Sequence, residues 1–275
     1  MQSPLPGTKT LLFGDIGTGK TRSIDSLLVA GLKPICIFTE QGYGVLGDAL
    51  REKVSWVYVK PIKGSLEDLR EQIKSIGTKN QSQLGQEHDR DRYINGPLDR
   101  IIGSMEKFVD QNGRDWGNMG AWGTGVALVL DSLSGLTRAI WQNTTGKRAL
   151  LDKPDYMLAQ TQMEHLLAIL CGLRCHVVVT AHAEKEVDTL NGGMRITPVL
   201  PGKALAGKIG RDFDEVILAE RNGIKFSWTN VREGALGKKR YLPYAADQTP
   251  AFGPLIEAWK KAGGVIESLT NGDTK

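Results

Sequence analysis

Gly14-Asp15-Ile16-Gly17-Thr18-Gly19-Lys20-Thr21 reads G-x-x-x-x-G-K-T, a spacing suited to holding a polyphosphate. The glycines let successive backbone N–H groups curl around the α- and β-phosphates. Lys20 reaches the β- and γ-phosphates, and the Thr21 hydroxyl is a ligand for Mg²⁺. Arg22 follows directly and joins the loop as a nucleotide-contacting residue. A helix starting here adds its positive end to the same anion. Such a loop acts only with a buried strand before it and a helix after it. Lys9–Phe13 is an apolar run ending at Gly14, and Thr21–Ala30 sets Ile24, Leu27 and Leu28 on one face before Gly31.

A phosphate loop of this kind needs a carboxylate at a strand end to complete the Mg²⁺ shell. Asp131 is the candidate. It closes Val126-Ala127-Leu128-Val129-Leu130, the strongest buried-strand signal in the chain, and is followed by Ser132. Thr21 would bind the ion directly and Asp131 through a water. The sequence has no guanine-specific Asn-Lys-x-Asp motif, so ATP is the default nucleotide and Mg²⁺ its metal.

These residues need a scaffold. Further strands are expected at Pro34–Thr39 (running into Glu40), Val54–Val59, His176–Thr180, Glu215–Ala219 and Lys225–Thr229. Helices are expected around Leu66, Leu69, Ile73 and Ile76, at Leu98–Val109, at Asp155–Cys171 and at Pro254–Ala262. Val187–Leu190 and Met194–Thr197 flank Asn191-Gly192-Gly193, a hairpin signal. Strands alternating with helices imply an α/β fold, a mostly parallel central sheet with helices on both faces. The 275 residues, 40% of them hydrophobic, suit one domain over 1–275. An irregular insertion is expected at about 77–125, with the charged run 86–92 and the tryptophans Trp116 and Trp122. A short helix and tail close the chain at about 254–275.

The net charge is +4, and the basic excess concentrates late in the chain. Thr189 to Lys261 holds twelve Lys/Arg against seven Asp/Glu, which fits a nucleic-acid face and a solvated surface equally well. Three cysteines argue against a disulfide framework. Cys171-x₃-Cys175-His176, with His165 upstream, lacks a second zinc-ligand pair, and core cysteines explain it better. No signal-peptide core and no membrane-length apolar run is present in the sequence, so a cytoplasmic protein is expected (host cytoplasm if phage-encoded).

With these motifs in order, the sequence resembles the RecA-like P-loop ATPases. Its likeness is greatest to phage-encoded RecA-like nucleotide-binding proteins, which include single-strand annealing ATPases. The likeness runs from about Lys9 to Leu242, with 77–125 unmatched. It implies Mg²⁺-dependent ATP hydrolysis coupled to single-stranded DNA binding and annealing in recombination. The alternative is a motor or loader ATPase acting on a protein partner in phage replication or packaging.

The resemblance also implies residue roles. Glu40, taken to end the strand beside the phosphate-loop strand, becomes the general base that orients the attacking water. His182, with Thr180 second, becomes the γ-phosphate sensor. A cation donated by a neighbouring subunit would come from Lys238-Lys239-Arg240, expected on a strand before Leu242-Pro243, or from Lys203, Lys208 and Arg211. Either source makes the active form a homo-oligomer. The chain shows neither the N-terminal oligomerisation segment of bacterial RecA nor an evident C-terminal domain, so ring and filament stay open. The hairpin carrying Arg195 corresponds to the family's DNA-contacting loops. Trp116 and Trp122 are better placed as loop anchors than as base-stacking groups.

Overall fold

In a computed structural model, residues 5–46, 51–61, 65–67, 69–70, 73–74, 96–145, 153–187 and 192–267 are described. Ile76, the charged run 86–92, the hairpin residues 188–191 and the tail 268–275 lie outside them.

The strands are β1 (Lys9–Gly14), β2 (Lys33–Phe38), β3 (Ser55–Tyr58), β4 (Phe108–Val109), β5 (Asp115–Gly117), β6 (Val126–Asp131), β7 (His176–Val187), β8 (Met194–Pro198), β9 (Glu215–Asn222) and β10 (Lys225–Thr229). All but β4 and β5 were expected; Phe108–Val109 is a strand where the end of a helix was expected, and Asp115–Gly117 lies in the stretch read as irregular. The main sheet has the order β10-β9-β1-β7-β6-β2-β3, with β8 pairing to β7. From β9 to β3 every neighbouring pair is parallel. β10 is antiparallel to β9, and β8 to β7.

The side-chain period of two explains why the central strands are apolar throughout. Leu11 and Phe13 of β1, Leu128 and Leu130 of β6, and Val177 and Val179 of β7 enter one core. Leu12, Ala127, Val129 and Val178 enter the other, on the opposite face. The first core is covered by α2 (Pro97–Glu106), α3 (Leu133–Thr145) and α4 (Lys153–Gly172). The second is covered by α1 (Asp25–Val29) and α6 (Gly253–Lys261). Burying one such leucine is worth about 1.5–3 kcal/mol, so the two layers fix the sheet that carries the loop.

Several expectations need correction. Glu40 does not follow a neighbour of the phosphate-loop strand, because β7 and β6 stand between β1 and β2. The helix over Thr21–Ala30 is split into a 3₁₀ turn at Thr21–Ile24 and then α1. β7 runs seven residues past the expected end at Thr180, because its second half pairs with β8 from Ala183↔Pro198 to Val187↔Met194. Val187, expected to begin a hairpin arm, is thus part of an arm that starts further back in β7. The described part of the supposed insertion, 96–125, is ordered around α2 and the β4–β5 hairpin. Leu98, Ile101, Met105, Phe108 and Trp122 lie in the first core. Leu66 is 84% exposed and Leu69 and Ile73 are also exposed, so the expected apolar stripe does not face a core. Lys238-Lys239-Arg240 is not a strand; Lys238 makes only an isolated bridge to Val216.

α3 was not expected. Leu133, Leu136 and Ile140 mark its buried face, but Ser132, Ser134, Gly135 and Thr137 dilute the signal. Gly135 is needed where α3 starts, because a Cβ there would lie 2.2 Å from Thr39 Oγ1.

Candidate nucleotide site

The loop from Gly14 to Thr21 joins the C-terminal end of β1 to the 3₁₀ turn. Gly17 and Gly19 adopt φ of +75° and +83°, which side chains with a Cβ rarely tolerate. Lys20 is 8% exposed. Its ammonium donates to Gly14 O and Asp15 O at 2.8 Å each and to Thr18 Oγ1 at 3.3 Å. Burial lowers its pKa, and the charges of Asp131, Glu40 and Asp15 oppose that. A buried cation bonded only to neutral oxygens is a site that suits an anion.

Asp131, 5% exposed at the end of β6, accepts from Thr21 Oγ1 at 2.7 Å and Thr180 Oγ1 at 2.5 Å. Burial raises its pKa, and those two hydrogen bonds pull it back. Thr21 and Asp131 thus meet across 110 residues as a hydroxyl–carboxylate pair of the kind that binds a hard divalent cation. The Asp131–Ser132 peptide is cis.

Glu40 follows β2. Its Oε2 lies 2.9 Å from His182 Nε2, and its Oε1 lies 4.0 Å from the Arg138 guanidinium. Its pKa is lowered first by the His182 hydrogen bond, with burial opposing. The carboxylate is therefore held as the ion, the form a general base needs. The end of β2 is locked to β6: Thr39 N–H donates to Asp131 O (2.7 Å), Thr39 Oγ1 donates to Ser132 O (2.7 Å), and Ser132 N–H donates to Thr39 Oγ1 (2.8 Å).

The loop residues Ile16 to Arg22, Glu40, Asp131, Ser132 and His182 line one cavity of about 810 Å³, together with Phe226 and Pro250. Crossovers between β2, β6 and β7 bring these groups to one end of the parallel sheet, where such folds bind ligands. The set fits a Mg²⁺-nucleotide. Thr21 and Asp131 would hold the ion, and the loop N–H groups and Lys20 the phosphates.

A family model described as an AAA domain matches residues 7–241. The chain belongs to the AAA domain family. No curated protein matches it. The crystal structure of the RadB recombinase aligns at 17% identity over 88% of this chain and 86% of that one, with a TM-score of 0.39. That likeness is too distant to transfer any property. By its phosphate loop and sheet order, this AAA domain has an α/β P-loop fold with a mostly parallel central sheet.

The other expected residues of the AAA domain lie elsewhere. Arg240 pairs with Asp214 at 2.7 Å, Lys203 with Glu186 at 2.8 Å, and Lys239 lies 4.7 Å over the Tyr244 ring. Lys208 is exposed after the short helix α5 (Lys203–Ala206). Backbone N–H groups of Arg240, Tyr241 and Leu242 donate to Glu215 Oε1. Glu215 sits opposite Thr10, whereas the loop follows the other end of β1. Arg195 lines a separate cavity of about 250 Å³ with Glu184, Glu186 and Lys203. Trp122 is buried and donates to Trp116 O, and Trp116 donates to Asp110. Burial drops the His176 pKa to about 3 and lifts Cys175 to about 11 and Cys171 to about 12. No cluster of three metal-ligating side chains occurs among the described residues.

Sequence reasoning missed three contacts. Arg138 approaches Glu40 from α3, Lys185 pairs with Asp15 at 2.6 Å, and Thr180 faces Asp131. Only the last had a signal, since Thr180 ends an apolar run as Asp131 does. Among the described residues, no helix is long and apolar enough to cross a membrane.

Proposed function

We propose that this AAA domain binds and hydrolyses ATP with Mg²⁺ and couples turnover to single-stranded DNA. The observation that carries the ATPase reading is the convergence of Lys20, Thr21, Glu40 and Asp131 on one cavity. Lys20 and the loop N–H groups bind the β- and γ-phosphates, and Thr21 and Asp131 hold the metal. The metal, when bound, neutralises charge on the phosphoryl oxygens. Glu40, kept ionised by His182, accepts a proton from the attacking water. A positioned base of this type contributes about 10²–10⁴-fold.

The DNA coupling rests on the continuity of β7 with the β7–β8 hairpin. One strand carries Thr180 and His182 into the site and Glu186, opposite Arg195, away from it. The oligomeric form with a cation supplied by a neighbour, such as Arg240, belongs to the same reading. Annealing in phage recombination is its most specific form.

A protein partner is the second reading, favoured by the charge of that hairpin. Glu184 and Glu186 flank Arg195, and Lys203 is already paired with Glu186. A mixed surface of this kind suits a protein better than a phosphate backbone.

Steady-state ATP hydrolysis with and without single-stranded DNA, at low and moderate salt, separates the two. Stimulation that fades with salt supports the DNA reading. Turnover that DNA leaves unchanged at both salts excludes it and favours the protein partner.

A further inference from the structure

The two oxygens of Asp131 face different partners. Oδ2 meets the Thr21 hydroxyl at 2.7 Å, at the mouth of the nucleotide cavity. Oδ1 meets the Thr180 hydroxyl at 2.5 Å, inside the sheet. Thr180 has no exposed surface. It lies one residue past the last β6–β7 register pair, Leu130↔Val179, so both strand backbones hold the contact. A β-branched side chain in a strand has restricted χ1 freedom, and here the hydroxyl that remains points at the carboxylate. His182, two residues on, lines the cavity, and Thr180 is not among its lining residues.

We propose that Thr180 is a positioning residue for the metal site: it fixes the orientation of the Asp131 carboxylate so that Oδ2 is the oxygen offered to Mg²⁺. This rests on the Mg²⁺-nucleotide reading above and replaces the phosphate-sensor role that the family resemblance implies for Thr180. With the hydroxyl removed, Oδ1 is left buried without a donor. The carboxylate then turns to satisfy it, which withdraws Oδ2 from the metal. Groups that orient a metal-binding side chain typically carry about 10–100-fold in metal affinity.

The test is ADP binding by calorimetry in Mg²⁺ and in EDTA, for wild type, Thr180→Val and Thr180→Ser, with ligand-free Tm recorded alongside. The readout is the ratio of the Kd in EDTA to the Kd in Mg²⁺. The ratio in Thr180→Val is expected to fall about tenfold or more, while Thr180→Ser, which keeps the hydroxyl, retains the wild-type ratio. A wild-type ratio in folded Thr180→Val overturns the proposal. Should Thr180→Val fail to fold, Thr180→Ala against Thr180→Ser decides by the same ratio, equal values overturning it. Wild-type protein that binds no ADP in either buffer removes the nucleotide reading together with this one. Wild-type binding with an unaltered Thr180→Val ratio removes this one alone.

Discussion

His182 Nε2 and Glu40 Oε2 stand 2.9 Å apart, joining the end of β2 to the middle of β7 across β6. The contact ties the proposed water-activating carboxylate to the strand that continues into the β7–β8 hairpin. His182 is itself fixed by its backbone N–H, which donates to Ser134 Oγ at 3.0 Å. A shift of the hairpin arm therefore moves a group bonded to Glu40.

The His182 hydrogen bond is the main cause of the depressed Glu40 pKa, and burial works against it. A carboxylate with a lowered folded pKa contributes stability above the ordinary Glu range and loses it as pH falls through the lowered value. His182→Ala leaves burial unopposed by its largest counterweight. The acidic limb of kcat/KM against pH is expected to move to higher pH. An unmoved limb, with turnover intact, would show that Glu40 does not titrate in the reaction.

Lys20→Ala removes the ammonium that the loop holds for phosphate. Ligand saturating at 100 times its Kd stabilises a folded protein by about 2.7 kcal/mol. Thermal unfolding with Mg²⁺-ADP should show an upward Tm shift in wild type and none in Lys20→Ala. Equal shifts in both proteins would place the nucleotide elsewhere.

The trans cation is open to a mixing experiment. Arg240→Ala breaks the Asp214 pair, which is largely exposed on the arginine side and of little weight for stability. If Arg240 serves a neighbour's nucleotide, Arg240→Ala and Lys20→Ala are each inactive alone. Mixed subunits then regain part of the turnover, because an intact site can form between them. Full activity of Arg240→Ala alone would hand the role to Lys203, Lys208 or Lys239, or remove it.

Leu128 is fully buried in β6, the strand that presents Asp131. Leu128→Ala is expected to cost about 2–5 kcal/mol, through lost transfer energy and the cavity left behind. Urea unfolding measures this directly, and a cost below about 1 kcal/mol would contradict the packing described.

Much of this architecture was legible in the sequence because buried parallel strands are apolar on both faces. β1, β2, β6 and β9 each begin within two residues of the expected start. The phosphate loop was legible for a different reason, since its spacing is set by the ligand. What escaped was set by pairing across the sheet. The order placing β7 and β6 between β1 and β2 has no local signature, so the route by which Glu40 reaches the site was misread. The length of β7 depends on its partner β8, and Thr180 on the position of Asp131, 49 residues away. α3 was hidden because its first turn carries small polar residues together with Gly135, which the close approach to Thr39 requires. For the basic cluster 238–240, the family resemblance implied a strand. The segment is instead shaped by backbone N–H groups converging on Glu215.

The most direct test of the proposed chemistry pairs ATP turnover with nucleotide binding in Glu40→Gln. The substitution keeps the shape of the side chain and removes its capacity to take a proton. The account predicts Mg²⁺-ATP binding within a few-fold of wild type and a kcat lower by about 10²-fold or more. Near-normal turnover with intact binding would contradict it and remove Glu40 from the mechanism.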